Sequence, residues 1–319
     1  KLFEKYFSDD TIFDCSHPVN RINGFKNMIN EFWKPFIKSF PDVVKRPFIF
    51  MGGKSIRGDE NPKFENANWV CSTGYYEATF VEDFFDIPAS KNIVFIRYCE
   101  YSLVENEKII HTRTIVDFLD LMKQIGIKFF SPLGNDVLIP GPTSYDGIMM
   151  GQHDPEVSYE SIKLIEDMCF IGLNAFEDGG YSGMDLSRYF EKDFMWYGPS
   201  GIGTCKGLKG FETYHQIPWL NSFPDRRNAN FFASIGENNY ASVGGWPAMY
   251  ATHTGSDWLG IPATGKKLEM RCIDWWRVEN GKIVENWVVL DIPHILIQMG
   301  IDVFDRMKNR RYCFPDRFI

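Results

Sequence analysis

Residues 261–301, IPATGKKLEMRCIDWWRVENGKIVENWVVLDIPHILIQMGI, have a counterpart 174 positions earlier at residues 87–127, IPASKNIVFIRYCEYSLVENEKIIHTRTIVDFLDLMKQIGI. The two stretches align without a gap and are identical at 13 of 41 positions. Similarity this regular at a fixed offset marks an internal duplication. It continues upstream with small insertions: YFSDDTIFD at Tyr6 answers YFEKDFMWY at Tyr189, NGFKNM answers KGFETY, and KSFPD answers NSFPD. Two copies of one domain therefore fill the 319 residues, as the length alone also suggests. The expected division is 1–130 for the first copy, 131–156 for a Pro- and Gly-rich linker, and 157–319 for the second copy.

Each copy reads as helix, short strand, helix, then several strands. Helical segments are expected around residues 25–40 and 210–221. Long strands are expected at residues 239–255 and across residues 267–291, the latter turning at Asn280-Gly281, a dipeptide suited to a primed hairpin turn. The second copy opens with SYESIKLIEDMCFIGLNAF, in which Ile162, Ile165, Met168 and Cys169 fall at helical spacing after a Ser cap. The matching helix of the first copy would precede Lys1. Helices followed by antiparallel strands describe an α+β domain whose curved sheet wraps over helices and encloses a pocket.

Composition narrows the functional classes. Lys and Arg number 34 against 42 Asp and Glu, a net charge of -8, and no long basic run is present, which argues against a nucleic-acid partner. No run of about 18 apolar residues exists to span a membrane. The seven cysteines are odd in number, widely spaced and free of C-x-x-C pairs, so they read as reduced, mostly buried thiols of a cytoplasmic protein. A signal peptide remains open, because the chain begins at Lys1. Aromatic residues make up 16% of the chain, enough to line pockets with rings. His153 and Asp154 lack a third ligand nearby, and GPSGIG at Gly198 lacks the strand-to-helix setting of a dinucleotide loop, so neither a metal nor a nucleotide is expected.

The phrases WYGPSGIGTCKGLKGF, SFPD, THTGSDWLGIPATGKKLEM, RVENGKIVENWVVLD and LIQMG, in this order, resemble the SnoaL-like polyketide cyclase family of the NTF2-like superfamily. The resemblance covers essentially all of the second copy and, more weakly, the first. It implies two tandem cone-shaped α+β barrels and chemistry without a cofactor, in which an aspartate closing the last strand moves protons on a small, apolar, ring-bearing carbonyl compound. Here that aspartate is Asp291, with His253 of THTG as its helper. One fold hosts many functions, so a non-catalytic carrier of small molecules and a purely protein-associating role stay open beside the enzyme.

Two readings of Asp291 compete. An isolated buried carboxylate is costly unless it is paired, hydrogen-bonded or protonated. Asp291 is either a proton carrier with a raised pKa or the N-cap of the helix beginning at IPHILIQ. Strand alternation puts Asp291, Val289, Trp287 and Glu285 on one face, and Asp117, Ile115, Arg113 and His111 on the matching face of the first copy. An Arg113–Asp117 ion pair there would suit a degenerate or acid-binding site. Trp196, Tyr197, Trp219, Trp287 and His215 are the candidate pocket lining, and of the adjacent Trp275 and Trp276 only one can face inward. The two copies are expected to pair within the chain as single-domain relatives do in dimers, and further homo-oligomerisation stays open.

Overall fold

A computed structural model describes residues 2–228 and 230–309. The first sheet contains β1 (Phe7–Cys15), β2 (Arg21–Asn23), β3 (Val44–Lys54), β4 (Asn68–Thr79), β5 (Ile93–Glu105) and β6 (Lys108–Val116), ordered β2-β1-β6-β5-β4-β3. The second contains β7 (Phe190–Tyr197), β8 (Thr204–Lys206), β9 (Arg227–Asn228), β10 (Ala233–Glu237), β11 (Tyr240–Thr252), β12 (Lys267–Glu279) and β13 (Lys282–Leu290), ordered β10-β11-β12-β13-β7-β8 with β9 beside β11. The chain is thus two α+β units in tandem. Neither sheet is wholly antiparallel as expected: β1 runs parallel to β6 and β7 parallel to β13, because each follows its copy's opening segment and docks on the last strand.

Local chemistry accounts for the repeated elements. The β12–β13 hairpin turns at Asn280 and Gly281 with φ of 49° and 70°, the left-handed pair that a primed turn needs. The first copy bends identically at Asn106 and Glu107, holding a glutamate at φ 62° where the second uses glycine. The helical stretches run from Phe25 to Ser39 and from Gly207 to Ser222, and each widens to a π-turn at its centre, Ile29–Trp33 and Glu212–Gln216. Pro35 and Pro218 follow those turns directly. A proline has no N–H and crowds the carbonyl four residues back, and the wider turn relieves both problems. The helix opening the second copy, Pro155–Asp167, is capped by Asp154, whose carboxylate accepts from the Glu156 N–H at 2.9 Å, and not by a serine. Ile162, Ile165, Met168 and Cys169 are buried as their spacing demands.

Two cores result. One lies between the sheets and their own helices. The other joins the repeats: Trp69, Cys71, Tyr101 and Ile115 of the first sheet meet Phe232, Tyr240, Trp275, Trp287 and Val289 of the second. Ring contacts across this seam include Trp69–Phe232 at 5.2 Å and Tyr101–Trp275 at 6.2 Å. The sheets therefore pack back to back, and in each strand of the seam one face looks toward its own helices and the other toward the opposite repeat.

The connecting segment seals this seam. Its backbone pairs with both sheet edges, Asn135 with Thr204 through two 2.7 Å hydrogen bonds and Met149 N–H with Phe50 O at 2.9 Å. Ile139 and Met149 are buried in the shared core, and Trp287 Nε1 donates to Pro140 O at 2.9 Å. Cys15, Cys71, Cys99, Cys169, Cys205 and Cys272 are buried free thiols, and Cys313 lies outside the described residues. Because the repeats share this core, Trp287→Ala should lower stability by about 3–5 kcal/mol, as removal of a large buried ring does. Urea unfolding should show one displaced transition, and two separate transitions would show the repeats to be independent.

A candidate acid–base cavity in the second repeat

On β12 the side chains of Cys272, Asp274 and Trp276 point toward the helices of the second repeat, whereas Ile273 and Trp275 enter the shared core. On β13 Asn286, Val288 and Leu290 take the inner face, and Trp287 and Val289 the outer. These inner positions line a cavity of about 80 Å³. Its other walls are Met168, Cys169 and Leu173 from the opening helical segment, Trp196 from β7, His215, Gln216 and Trp219 from the second helical segment, and Arg226 just before β9.

Asp274 is the acid of this cavity. Burial pushes its carboxyl up to about 7, opposed by the Cys272 thiol and by the more distant charge of Arg97. The thiol stands 3.4 Å from both carboxylate oxygens. Asp274 is half-buried by surface area and is one of the residues that border the cavity. His215 stacks on Trp196 with centroids 4.1 Å apart, and burial together with Arg226 pushes its imidazole down to about 3, so it is neutral at ordinary pH. Arg226 is 7% exposed, and burial lowers it to about 10, which leaves it a cation. Its Nε and Nη1, together with Gln216 Oε1 and Trp276 Nε1, find no hydrogen-bond partner. Buried polar groups are nearly always satisfied, so unpaired groups gathered around one cavity mark a place for a ligand or water.

The aspartates singled out by sequence sit elsewhere. Asp291 is fully buried and caps the helix Ile292–Gln298: its Oδ1 accepts from His294 N–H at 3.2 Å, and its Oδ2 accepts from Arg271 Nη1 at 3.1 Å and from His17 N–H of the first repeat at 3.0 Å. Asp117 mirrors it, its Oδ1 accepting from Asp120 N–H at 3.0 Å and its Oδ2 from Ser200 N–H of the second repeat at 2.9 Å. Burial raises both carboxyls to about 6, against these donors and the nearby Arg271 or Arg97. Each aspartate thus caps a helix in its own repeat and holds a loop of the other.

Of the expected lining, Trp196, Trp219 and His215 do border the cavity. Tyr197 and Trp287 instead stack on each other in the shared core, with centroids 5.4 Å apart. The strand alternation was right, but its outward face is the one that carries Trp287 and Asp291. His253 is buried away from Asp274, with Nδ1 at 3.3 Å from Thr264 Oγ1 and its ring against Phe223. Trp276 is the inward member of the Trp275–Trp276 pair. In the first repeat Arg113 pairs with Glu60 at 2.6 Å and reaches Asp14 at 3.4 Å, instead of binding Asp117, and His111 bonds Asp14 at 2.7 Å. Asp14, despite burial, is held well below the usual carboxylate range by His111, Arg21 and Arg113.

The inner face of the first repeat differs. Glu100 occupies the place of Asp274 and is ion-paired with Lys45. Phe32, Phe36, Phe40, Tyr76 and Phe84 pack ring on ring beneath its helices. Asp274 and Glu100 correspond in the alignment of the repeats, which does not by itself say that this position faces inward. An acid alternating with Cys272 and Trp276 within the run CIDWW was the available signal.

Residues 184–299 match the family model described as SnoaL-like polyketide cyclase. The second repeat is a SnoaL-like domain. All of β7 to β13 lies inside the SnoaL-like segment, as do Asp274, His215 and Arg226. Among solved structures, the chain is similar to a SnoaL-like protein from Jannaschia sp. CCS1 (14% identity, 46% of this chain and 97% of that one, TM-score 0.39). It is also similar to IdmH from Streptomyces antibioticus (22%, 44% and 97%, TM-score 0.34) and to AclR from Streptomyces galilaeus (19%, 45% and 97%, TM-score 0.35). No curated protein matches the chain.

The Asp274 carboxyl links stability to pH. It titrates near 3.8 when unfolded and near 7 in the cavity, so the folded protein holds the extra proton between those values. Its contribution is therefore full below about pH 4 and is lost as pH rises through 7. Asp274→Asn should melt at the same temperature as wild type near pH 4 and several degrees higher at pH 8. A variant less stable than wild type at pH 8 would show that the carboxylate is well accommodated.

Proposed function

We propose that the protein is a cofactor-independent cyclase, isomerase or dehydratase whose second repeat acts on a small, largely apolar carbonyl compound, with Asp274 as the proton carrier. The observation that carries this reading is a carboxyl raised to about 7 beside a ring-lined cavity, with no cation among the described residues bonded to it. A general acid–base group works best when its pKa lies near the working pH.

As carboxylate, Asp274 takes a proton from the carbon beside the substrate carbonyl, and the C–H electron pair moves into an enolate whose charge rests on oxygen. Trp276 Nε1, unpaired in the cavity, and neutral His215 are the donors suited to that oxygen. The proton then returns at another position for isomerisation, or the enolate carbon attacks a second carbonyl to close a ring. The role first sought for Asp291 and His253 thus passes to Asp274 and His215. We assign the first repeat, at residues 1–130, a supporting role: with the second it forms the equivalent of a dimer within one chain, and its aromatic filling and Lys45–Glu100 pair leave it without this chemistry.

A panel of ketones, β-keto esters and hydroxy ketones, read by mass spectrometry, tests the assignment. Asp274→Asn should lower turnover of any converted compound by about 10²–10⁴-fold, the usual worth of a positioned acid–base group. Asp291→Asn should reduce thermal stability while leaving the rate per folded molecule largely intact. Loss of turnover in the Asp291 variant alone would return the chemistry to the strand end. Binding without conversion anywhere in the panel would favour a carrier.

A further inference from the structure

We infer that the compound accepted by this cavity carries a carboxylate, anchored by Arg226, and is compact, a short-chain keto acid smaller than one aromatic ring. The inference rests on the proposed acid–base role of the cavity and revises the substrate class from a largely apolar carbonyl compound to one with an anionic end.

Arg226 carries the argument. Its guanidinium is buried, with Nη2 donating to Leu173 O at 3.3 Å and with Nε and Nη1 unpaired. No carboxylate among the described residues bonds to it. Of the other titratable groups of the cavity, Cys169 and Cys272 are thiols held far above neutrality by burial and His215 is neutral, while Asp274 bonds the Cys272 thiol and makes no hydrogen bond to Arg226. A buried cation without its counter-ion is expensive. A ligand carboxylate would satisfy both free N–H groups with charge-assisted hydrogen bonds.

Size narrows the class further. The cavity of about 80 Å³ is smaller than the roughly 150 Å³ that accommodates benzene in an engineered core, and far smaller than pockets for multi-ring ligands. Rings of Trp196, Trp219 and Trp276 limit its expansion. A carboxylate on Arg226 and an acidic C–H before Asp274 together describe a short keto acid, in which a proton leaves the carbon next to the ketone and the electron pair moves to the ketone oxygen, then both steps reverse.

The test uses 2-ketobutyrate, methyl 2-ketobutyrate and 2-butanone against the whole chain, with binding read by thermal shift and C3 proton exchange in D2O read by NMR. The acid should bind at least tenfold more tightly than the ester or the ketone. Arg226→Gln should abolish that preference, Arg226→Lys should retain part of it, and Asp274→Asn should bind the acid while losing exchange. If Arg226→Gln does not fold, the wild-type acid-to-ester ratio and the Lys variant decide. Equal binding of acid and ester, no binding of the acid at millimolar concentration, or an undiminished acid preference in Arg226→Gln would overturn the anchor. Tight binding of the acid by wild type without exchange would uphold the anchor and remove the proton-carrier reading.

Discussion

Back-to-back packing of the two sheets is the constraint on which the rest of the molecule depends. Trp69, Tyr101, Trp275, Trp287 and Phe232 fill the seam, so its central strands β4, β5, β12 and β13 are buried on both faces along much of their length. This decides which alternate residues look into each repeat's own interior. On β12 it sends Asp274 and Trp276 inward and Trp275 to the seam, and on β13 it keeps Trp287 and Val289 out of the cavity. The chemistry available to the cavity follows from that choice of face.

The same packing explains the strand-end aspartates. Asp117 and Asp291 stand where the last strand of each repeat meets a helix, beside a loop of the opposite repeat. Each carboxylate satisfies one N–H of its own helix and one N–H across the seam, which are among the orphan donors that helix starts and tight loops present. Arg271 adds a charge partner to Asp291 while lying 4.9 Å over the Trp246 ring, whereas Arg97 donates to Gly198 O and Tyr197 O beside Asp117. Removing either carboxylate would leave buried donors unpaired, which is costly. Conserving the geometry of this reciprocal clamp is reason enough for the repeated aspartate, without catalysis.

Much of the fold could be read from sequence. The offset of 174 residues, the Asn280-Gly281 turn and the spacing of Ile162, Ile165 and Met168 each state a local rule that the structure obeys. The parallel placement of β1 and β7 could not be read, because their partner strands lie about a hundred residues away and nothing local encodes that pairing. The inward face was hard to read for a related reason. Alternation shows which residues share a face, but a strand buried on both sides is apolar on both, as in Trp287 and Val289 against Val288 and Leu290, so the pattern does not say which face is inside. Asp291 draws notice because it ends a strand, whereas Asp274 lies mid-strand and aligns with another acid, Glu100, in the first repeat. Arg226, whose unpaired guanidinium emerges only in three dimensions, follows SFPD in a loop and carries no sequence signal of its own.

The central claim is that the proton-carrying carboxyl is Asp274 within the second repeat's cavity. Its most direct test is an NMR titration of the protein labelled with carbon-13 at the aspartate side-chain carboxyls, with Asp274→Asn assigning the resonance. A carboxyl titrating near pH 7 that vanishes in the variant is the expected result. A resonance for Asp274 that titrates near 4 would mean that the carboxylate is solvated or paired, and the account of the cavity would fail.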